Sequence, residues 1–370
     1  MNLPSIAIIG GGPAGLCAAL ALAGRGHRSL LIDRQHVLGG QLIKQTHRFF
    51  GSRDERAGRR GIDIGRDLAA ELAAGDLVTV WLNSTAIGYY QDDNSLVIEQ
   101  AGGRLAVIQP AYLILATGAA ERALAFAGND LPGVYGAGAV QTLMNVYGIR
   151  PGERAVMIGA GNIGLIVAYQ LLQAGVEVAA VLEAGSSVGG YWVHAAKLAR
   201  AGVPIMTSHT ITAALGDQSV QAVHAARLDG DWQPIRGTGF ELECDLVCLA
   251  VGLSPLVELA ILAGCRTAYV PELGGYVPWH DHESRTSLAH VYVAGDAAGI
   301  EEASSAMIEG TLAGLAVANA IAPWPGYADE REAAQRRLAA LRDGPTAAKT
   351  RAGLAALAAT ATPASGGERG

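Results

Sequence analysis

Two distant segments of the chain share one pattern of apolar and polar positions. Each begins with a short apolar run, continues through closely spaced glycines into a stretch of small apolar residues, and ends in a second apolar run followed by an acid. The four apolar runs are Ile6–Ile9, Leu30–Ile32, Ala155–Ile158 and Ala179–Leu182. Short apolar runs bounded by glycine are typical of buried parallel strands. The pattern therefore predicts a strand, a turn, a helix and a second strand in each segment.

The glycines in both segments have the spacing of a dinucleotide-binding turn, G-x-G-x-x-G. The first glycine allows a tight turn, the second leaves room for a pyrophosphate beside the backbone, and the third lets helix and strand pack closely. The N-terminus of the following helix offers its positive dipole end to the phosphates. The predicted nucleotide-binding residues are Gly10, Gly12, Pro13, Ala14 and Gly15 in the first segment and Gly159, Gly161, Asn162, Ile163 and Gly164 in the second. We expect two dinucleotide sites, with a purely structural turn as the alternative at the second.

An acid closes each pattern at the distance expected for a ribose contact. Asp33 follows Gly15 by 18 residues and Glu183 follows Gly164 by 19 residues, close to the roughly 20 of the motif. A carboxylate there accepts a hydrogen bond from the ribose 2′-hydroxyl and repels a 2′-phosphate. Since no arginine closely follows Glu183, the second site favours NAD over NADP, with a structural adenine nucleotide as the alternative. Arg34 is a further expected contact of the first nucleotide.

The order of predicted elements indicates an α/β fold with two Rossmann-like, three-layer nucleotide-binding domains, the second inserted into the first. A strand and turn at 288–299 and a helix from about 304 to 320 belong by their pattern to the first domain, although they follow the second glycine turn. The expected boundaries are 1–120 plus 275–325 for the first domain and 121–274 for the second. Residues 326–370 are expected to form a C-terminal helix and a loose tail.

Charge and composition exclude several classes of partner. The formal net charge of −7 makes a nucleic-acid partner unexpected. The segments 1–24 and 155–176 carry no charged side chain, but the glycines of the two turns lie within them. Buried strand–helix units are therefore favoured over a signal peptide or a membrane span. We expect a cytoplasmic protein that has no membrane partner.

The cysteines predict no redox disulfide. They are Cys17, Cys244, Cys248 and Cys265, and none forms a C-x-x-C pair. Residues 242–251 predict a single strand, on which Cys244 and Cys248 lie about 13 Å apart, too far for a disulfide. We expect four buried free thiols, no metal site and no iron–sulfur cluster within this chain.

Four motifs together resemble the flavoproteins with two dinucleotide-binding domains, the class that includes thioredoxin reductase. They are the first glycine turn with Asp33, Gly39-Gly40-Gln41-Leu42, Ala116-Thr117-Gly118 and Val293-Ala294-Gly295-Asp296. The resemblance covers about residues 4–322 and implies that the first site binds FAD. It implies that Asp296 contacts the ribityl chain and that the following helix points its N-terminus at the flavin pyrimidine edge. The further FAD contacts it implies are Gly40, Gln41, Ala116, Thr117, Gly118, Gly295, Ala303 and Ser304.

The chain departs from thioredoxin reductase because its inserted domain lacks the C-x-x-C. A closer resemblance is to the α-type subunits of multi-subunit amine-oxidising flavoenzymes, namely sarcosine oxidase, opine oxidase, hydroxyproline dehydrogenase and hydrogen cyanide synthase. The segments 40–47 and 295–303 carry this likeness. It implies a small-molecule substrate, and a second flavin subunit and a small iron–sulfur protein as partners. Association into a homo-oligomer also stays open.

Three polar residues are candidates for chemistry beside the flavin. By the resemblance, Lys44 and His47 lie in a loop that borders the flavin ring, where they would orient a substrate carboxylate or move a proton. The alternative is that both bond local backbone while Phe49 and Phe50 fill the core. Glu302 precedes the last helix and is a candidate base, with helix capping and dipole compensation as the alternative.

Two functions follow from these expectations. The first is an FAD-dependent oxidoreductase that transfers hydride between a nicotinamide nucleotide, or an amine or amino-acid substrate, and FAD. The second is a non-catalytic or electron-relay subunit that binds FAD and a nucleotide, while another chain oxidises the amine. Bleaching of the flavin by NADH with this chain alone would favour the first.

Overall fold

The computed structural model describes residues 4–49 and 53–360. It divides into two compact units: the first combines Met1–Ala120 with Leu253–Gly370, and the second is Glu121–Gly252. The second unit is inserted into the first, as the sequence predicted. The chain returns to the first unit at Leu253, so the boundary expected at residue 275 was wrong. It falls earlier because Leu259 and Ala260 already pack into a hydrophobic core of the first unit.

The described ranges of the chain contain twenty short strands and nine α-helices, together with 3-10 helices and loops. The strands are β1 (Ile6–Ile9), β2 (Ser29–Ile32), β3 (Val78–Trp81), β4 (Ser84–Tyr90), β5 (Ser95–Gln100), β6 (Arg104–Ile108), β7 (Tyr112–Leu115), β8 (Ala119–Glu121), β9 (Val134–Gly136), β10 (Arg154–Ile158), β11 (Glu177–Glu183), β12 (Ile205–Thr207), β13 (His209–Leu215), β14 (Ala222–Arg227), β15 (Phe240–Glu243), β16 (Leu246–Leu249), β17 (Leu253–Pro255), β18 (Thr267–Val270), β19 (Gly275–Pro278) and β20 (Val291–Val293). The helices are α1 (Pro13–Ala23), α2 (Gly61–Ala73), α3 (Ala137–Asn145), α4 (Asn162–Gln173), α5 (Trp192–Arg200), α6 (Glu258–Leu262), α7 (Ala303–Ile321), α8 (Tyr327–Arg342) and α9 (Ala348–Ala359).

A five-stranded parallel sheet forms the centre of the first unit, in the order β20-β7-β1-β2-β3. Side chains alternate between the two faces of a strand. Ile6 and Ile8 therefore join a core with residues of α1, α2 and α7, whereas Ala7 and Ile9 join a core with residues of the antiparallel sheet β4-β5-β6. The unit is thus built of three layers: helices, parallel sheet and antiparallel sheet.

The second unit repeats this architecture. Its parallel sheet has the order β12-β11-β10-β16-β9. Ala155 and Met157 pack with residues of α3, α4 and α5, and Val156 and Ile158 pack with residues of the sheet β13-β14-β15. The predicted fold of two three-layer Rossmann-like domains is therefore confirmed.

Helix α7 is a core helix of the first unit. A Cβ added to Gly310 would lie 2.0 Å from the carbonyl oxygen of Ala14, and one added to Gly314 would lie 2.6 Å from that of Ala18. Glycine at both positions lets the backbones of α1 and α7 approach each other. Among the described residues, α7 is the one helix long and apolar enough to cross a membrane, but 78% of that apolar window is buried inside the protein.

The segment expected to be a loose tail contains a further helix. Helix α9 (Ala348–Ala359) follows α8, and its Leu357 packs with Leu273 of the first unit. Helix α8 contributes Ala334 and Leu338 to a small cluster with α7. The contacts of α8 and α9 thus join 327–359 to the first unit, whereas residues 361–370 of the predicted tail lie outside the described ranges.

Candidate functional site

Predicted site residues follow the carboxyl ends of four neighbouring strands in the first sheet. Gly10 follows β1, Asp33 follows β2, Ala116 follows β7, and Gly295 comes shortly after β20. Because these strands are parallel, their carboxyl ends meet at one edge of the sheet. This edge is where open α/β sheets bind their ligands.

Both glycine turns are built to the same tight geometry. Gly10 has φ of +109°, and a Cβ there would lie 2.1 Å from the carbonyl oxygen of Ala116. A Cβ on Gly15 would lie 1.8 Å from the carbonyl oxygen of Gly10. The corresponding distances to backbone carbonyls are 2.4 Å at Gly159 and 2.1 Å at Gly164. These four positions exclude any side chain, because the turn and the helix that follows pack directly on the backbone.

The middle glycine of each turn instead faces open space. A Cβ on Gly12 would meet no atom closer than the Cα of Gly40 at 3.8 Å, and one on Gly161 would meet none within 4 Å. Both residues are extended and immediately precede a helix, α1 or α4. Protein packing therefore does not require glycine here, whereas a pyrophosphate approaching the helix N-terminus would need this space. The residues of both turns fit a dinucleotide.

The predicted acids hold the turns through hydrogen bonds. One oxygen of each carboxylate accepts the amide of the residue between the first two glycines, and the other accepts the amide two residues beyond the acid. The pairs are Gly11 with Asp33 Oδ2 (2.5 Å), Gln35 with Asp33 Oδ1 (2.7 Å), Ala160 with Glu183 Oε2 (2.7 Å) and Gly185 with Glu183 Oε1 (2.8 Å). A carboxylate has about four acceptor positions, so both acids keep capacity for a ribose hydroxyl. Arg34 is exposed.

A Gly-Gly pair later in the sequence packs against each turn: Gly39-Gly40 in the first unit and Gly189-Gly190 in the second. Only the pair in the first unit was predicted as part of a site. Gly39 donates to the carbonyl oxygen of Gly11 at 2.8 Å and leads into the short 3-10 helix Gly40–Lys44, in which Gln41 is exposed. In the second unit, Gly190 donates to the carbonyl oxygen of Ala160 at 2.9 Å. The signal was present in the sequence, because a Gly-Gly pair begins six residues after Asp33 and six residues after Glu183.

Polar side chains near both turns have structural partners. Thr117 donates its hydroxyl to the carbonyl oxygen of Leu256 at 2.7 Å, and Gly118 has φ of +75° with open space at its Cβ position. The Asn162 Oδ1 accepts the amide of Tyr191 at 2.8 Å, which ties the second glycine-pair loop to the start of α4. Ile163 is 41% exposed, so its side chain is available to a ligand.

The segment from Gly295 to Ser304 carries the remaining predicted FAD contacts. Ala303 begins α7 and the side chain of Ser304 is buried in its first turn. The Asp296 Oδ1 accepts the amide of Glu301 at 3.4 Å. Burial raises the pKa of Asp296 to about 6, because desolvation penalises the charged carboxylate. Leaving the charged carboxylate of Asp296 without further hydrogen-bond donors is therefore energetically costly.

A buried cluster of ion pairs hydrogen-bonds the backbone of this segment. Glu309 on α7 accepts the amide of Gly295 at 2.8 Å. Arg342, the last residue of α8, donates to both oxygens of Glu301 (3.0 and 2.5 Å) and to Glu309 (2.5 Å). Burial raises the pKa of Glu309, with the charge of Glu301 as the next cause. Sequence reasoning missed Arg342, since nothing in a helix of alternating charges marks one arginine as buried.

The structure places the three candidates for chemistry as follows. Lys44 ends the 3-10 helix and is partly buried. His47 is also partly buried, and its ring stacks on Phe49 with 6.2 Å between centroids. Phe49 belongs to the core of the first unit, whereas Phe50 lies outside the described residues. Glu302 is the exposed N-cap residue of α7, a helix without a side-chain capping hydrogen bond.

The four cysteines are free thiols, three of them buried and Cys17 partly so. The predicted single strand over 242–251 was wrong: β15 and β16 are separate strands, and Cys244 lies between them. Burial raises the pKa of every thiol, to about 12 for Cys17 and about 11 for Cys244. The thiols therefore stay protonated at neutral pH and are poor nucleophiles. Within residues 4–49 and 53–360, no three His, Cys, Asp or Glu residues are placed to hold a metal ion.

The chain is similar to subunits of two oxidases and of a synthase. It is 30% identical over 325 residues to an opine oxidase subunit of Agrobacterium tumefaciens, covering 84% of this chain and 64% of that relative. It is 28% identical to the sarcosine oxidase α subunit of Rhizobium meliloti over 84% of this chain and 30% of that relative. It is 29% identical to the HcnB subunit of hydrogen cyanide synthase from Pseudomonas aeruginosa over 92% of this chain and 77% of that relative.

Solved structures share the fold. The thioredoxin reductase of T. acidophilum superposes with a TM-score of 0.70 at 20% identity, over 87% of this chain and 99% of that one. The L-proline dehydrogenase of P. horikoshii superposes with a TM-score of 0.68 at 23% identity, over 90% and 59%. Residues 4–310 match the family described as pyridine nucleotide-disulphide oxidoreductase. The chain belongs to this family, a family of FAD-dependent oxidoreductases.

Proposed function

We propose that this protein binds FAD in its first unit and NAD in its second, and that it transfers hydride between a nicotinamide or an amine-type substrate and the flavin. One observation carries the proposal: each unit presents the same open glycine turn, held by an acid at the carboxyl edge of a parallel sheet. A protein with a single bound nucleotide needs only one such turn. Two turns of matching geometry indicate two nucleotides.

In the first unit, the chain would bind FAD along the sheet edge. Gly12, Ala14 and Gly15 would hold the pyrophosphate at the N-terminus of α1, and the remaining lone pairs of Asp33 would accept the ribose hydroxyls. Asp296 would accept a hydroxyl of the ribityl chain, which gives its buried carboxyl a partner. The amides of the first turn of α7 would stabilise negative charge on the flavin pyrimidine edge. Bound FAD would supply the hydride acceptor.

In the second unit, Glu183 would select NAD. Its carboxylate lies beside the turn and Ala184-Gly185-Ser186-Ser187 follow it, so a 2′-phosphate would meet a negative charge without a compensating arginine. Gly161 leaves the approach to the amides of α4 open. A structural adenine nucleotide is the alternative occupant, and it would bind here without reducing the flavin.

The chemistry does not pass through thiols of this chain. The sequence has no C-x-x-C, and burial keeps the four thiols protonated at neutral pH. Lys44 and His47 are the proposed groups for orienting a substrate carboxylate and moving a proton, with Glu302 as a candidate base. All three lie in segments next to the proposed FAD contacts.

An anaerobic titration of the purified FAD-loaded protein with NADH tests the proposal. Loss of the visible absorbance of oxidised flavin on addition of NADH would support it. The Gly161→Ala variant should lose less flavin absorbance on addition of NADH, because its Cβ would occupy the space beside the phosphates. Gly230→Ala is the control: its Cβ also meets no atom within 4 Å, but it lies in an exposed turn and should leave the titration unchanged. Flavin that NADH leaves fully oxidised would overturn the NAD assignment.

A second candidate function has its own support. The relatives are named subunits of oxidases and of a synthase, and the chain spans 64% and 30% of the opine and sarcosine oxidase subunits. The chain would then be an FAD- and nucleotide-binding subunit that relays electrons, with a second flavin subunit and a small iron–sulfur protein as partners. Bound flavin that neither NADH nor an amine reduces, but that a co-purified partner chain does reduce, would favour this function.

A further inference from the structure

Arg342 joins two carboxylates, one in the segment that carries proposed FAD contacts and one further along helix α7. Glu301 immediately precedes the N-cap of α7, and Glu309 lies in the second turn of that helix. The Arg342 guanidinium donates to both. The side chains are 9% exposed for Glu301, 10% for Glu309 and 17% for Arg342. Water therefore screens these charges little.

The cluster reaches the proposed FAD contacts through two backbone hydrogen bonds. Glu309 accepts the amide of Gly295, and Asp296 accepts the amide of Glu301. The conformation of the loop from 295 to 302 is thus fixed at both ends by groups that Arg342 holds. Movement of either glutamate would displace Asp296, which is next to Gly295 and bonded to Glu301.

The charges do not cancel within the cluster. Two carboxylates face one guanidinium, and Asp296 and Glu302 add further negative charge to the same loop. His280 is a titratable group near Arg342 and Glu301, and it is partly buried. Removing Arg342 leaves two buried acids without a cation. A buried unpaired charge is costly, and the loop will either rearrange or bind a proton.

Arg342 comes from outside the part of the chain that matches the family, residues 4–310. It ends helix α8, whose other arginines reach different partners. Arg331 bonds Glu283 at 2.7 Å, Arg336 bonds Glu332 of the same helix at 2.7 Å, and Arg337 bonds Glu55 at 2.6 and 2.9 Å. Of these four arginines, only Arg342 contacts the segment that carries proposed FAD contacts.

We propose that Arg342 is a positioning residue for FAD, which acts through Glu301 and Glu309 to hold the loop from Gly295 to Glu302 and to offset the negative charge beside the flavin. The proposal rests on FAD binding in the first unit. It makes α8 part of the flavin site although no residue of α8 is among the proposed FAD contacts.

The test measures the FAD dissociation constant and the midpoint potential of bound FAD for the full chain and for Arg342→Met. We expect the dissociation constant to rise about tenfold or more, equivalent to about 1.4 kcal/mol. We expect the midpoint potential to become more negative, or to acquire a new dependence on pH where a carboxyl takes up a proton in place of the lost cation. Arg342→Lys, which keeps the charge, should restore the potential at least in part.

Two further variants separate positioning from general stability. Arg331→Met removes an ion pair from the same helix and should lower the melting temperature without changing FAD affinity or potential. Arg342→Met combined with Glu309→Gln restores the original charge of the cluster, so its potential should return towards that of the unaltered protein.

Each outcome decides one claim. FAD affinity within about twofold of the unaltered protein and an unchanged potential in Arg342→Met would overturn the inference. The electrostatic part of the inference would be overturned if Arg342→Met changed the FAD affinity but the double variant Arg342→Met with Glu309→Gln kept the shifted potential. An unaltered protein that binds no FAD would instead overturn the proposed function.

Discussion

Asp33 accepts the amide hydrogen of Gly11 at 2.5 Å, from the residue between the first two glycines of the turn. Glu183 does the same for Ala160 in the second unit. The acid thus stabilises the turn without any ligand, so the position has a structural role besides the proposed contact with a ribose. A substitution there changes two properties, which its test must separate.

Glu183→Gln should relax the choice between NADH and NADPH. The amide keeps one oxygen as an acceptor for the turn but removes the negative charge that would repel a 2′-phosphate. We expect the preference for NADH to fall about tenfold, measured as the ratio of the two dissociation constants. Glu177→Gln, an exposed position on the same strand, is the matched control. An unchanged ratio in Glu183→Gln would contradict the assignment of NAD to this unit.

Gly12→Ala should weaken FAD binding while leaving the fold intact. The added Cβ meets no atom closer than 3.8 Å in the protein but would occupy the path of the pyrophosphate. We expect a loss of affinity of about tenfold or more with an unchanged melting temperature of the FAD-free protein. Gly75→Ala, whose Cβ also has its nearest neighbour at 3.8 Å, should change neither quantity.

Gly15→Ala, unlike Gly12→Ala, should destabilise the fold itself. Its Cβ would lie 1.8 Å from the carbonyl oxygen of Gly10, so α1 must move away from β1. We expect a clear loss of stability in the FAD-free protein, seen as a lower melting temperature. If Gly12→Ala and Gly15→Ala lowered the melting temperature equally, the distinction between ligand space and packing at this turn would be wrong.

Asp296→Asn should stabilise the FAD-free protein in a pH-dependent way. Burial raises the pKa of Asp296 from 3.8 to about 6, so between these values the folded state binds a proton more readily than the unfolded state. Its stability therefore falls as pH rises through this window. Above about pH 6 the asparagine variant should be more stable by about 3 kcal/mol, seen as a higher melting temperature, and below about pH 4 it should show no such gain. Melting curves across pH would check this, with exposed Asp76→Asn as control.

The same Asp296→Asn substitution should weaken FAD binding, because it removes the proposed acceptor for the ribityl chain. Greater stability without FAD together with lower affinity for FAD would show a carboxyl kept for binding at the expense of stability. A variant that melts lower than the unaltered protein at every pH would contradict this account.

A variant with all four cysteines replaced by alanine should be reduced by NADH at a rate within about twofold of the unaltered protein. The thiols are protonated at neutral pH because burial raises their pKa, and none lies in a C-x-x-C. Stopped-flow absorbance of the flavin gives the rate. If the single Cys17→Ala variant abolished reduction without loss of FAD, a thiol step would have to be added.

Lys44→Met and His47→Asn should separate amine oxidation from NADH oxidation. We expect Lys44→Met to raise the KM for a carboxylate substrate, with sarcosine and L-proline as probes, and His47→Asn to lower kcat by about a hundredfold. Reduction by NADH should change little in either variant. Arg48→Gln, the exposed neighbour, is the control. Should neither probe reduce the flavin in the unaltered protein, the residues would have no role in amine chemistry by this chain alone.

The parts of this protein that local sequence determines could be predicted from it. Glycine turns such as Gly10–Gly15, and the apolar strands that precede them, depend on contacts between residues close in sequence or on runs without polar residues. Both three-layer units followed from these patterns. The positions of Asp33 and Glu183 beside the turns were predictable for the same reason, since their spacing from the turns reflects the length of one helix and one strand.

Features that depend on distant contacts could not be predicted. Helix α9 was missed because its sequence, rich in alanine and with few large apolar residues, shows no strong stripe, and it is held by packing of Leu357 on Leu273. The partnership of Arg342 with Glu301 and Glu309 joins helices whose approach no local pattern encodes. The return to the first unit at Leu253 was missed because the strand β17 is only three residues long.

The insertion of the second unit sets the order in which the protein can be completed. Strand β20 and helix α7 are the neighbours of β7 and α1, yet the ribosome adds them only after the whole inserted unit. Contacts between residues far apart in sequence form late and slowly. The inserted unit is continuous in sequence and can fold during synthesis, whereas β7 of the first sheet lacks its partner strand β20 until later. The proposed FAD-binding edge, which includes Gly295 and Asp296 after β20, is therefore completed only after the inserted unit has been synthesised. Until then β7 is an unpaired edge strand that is open to aggregation.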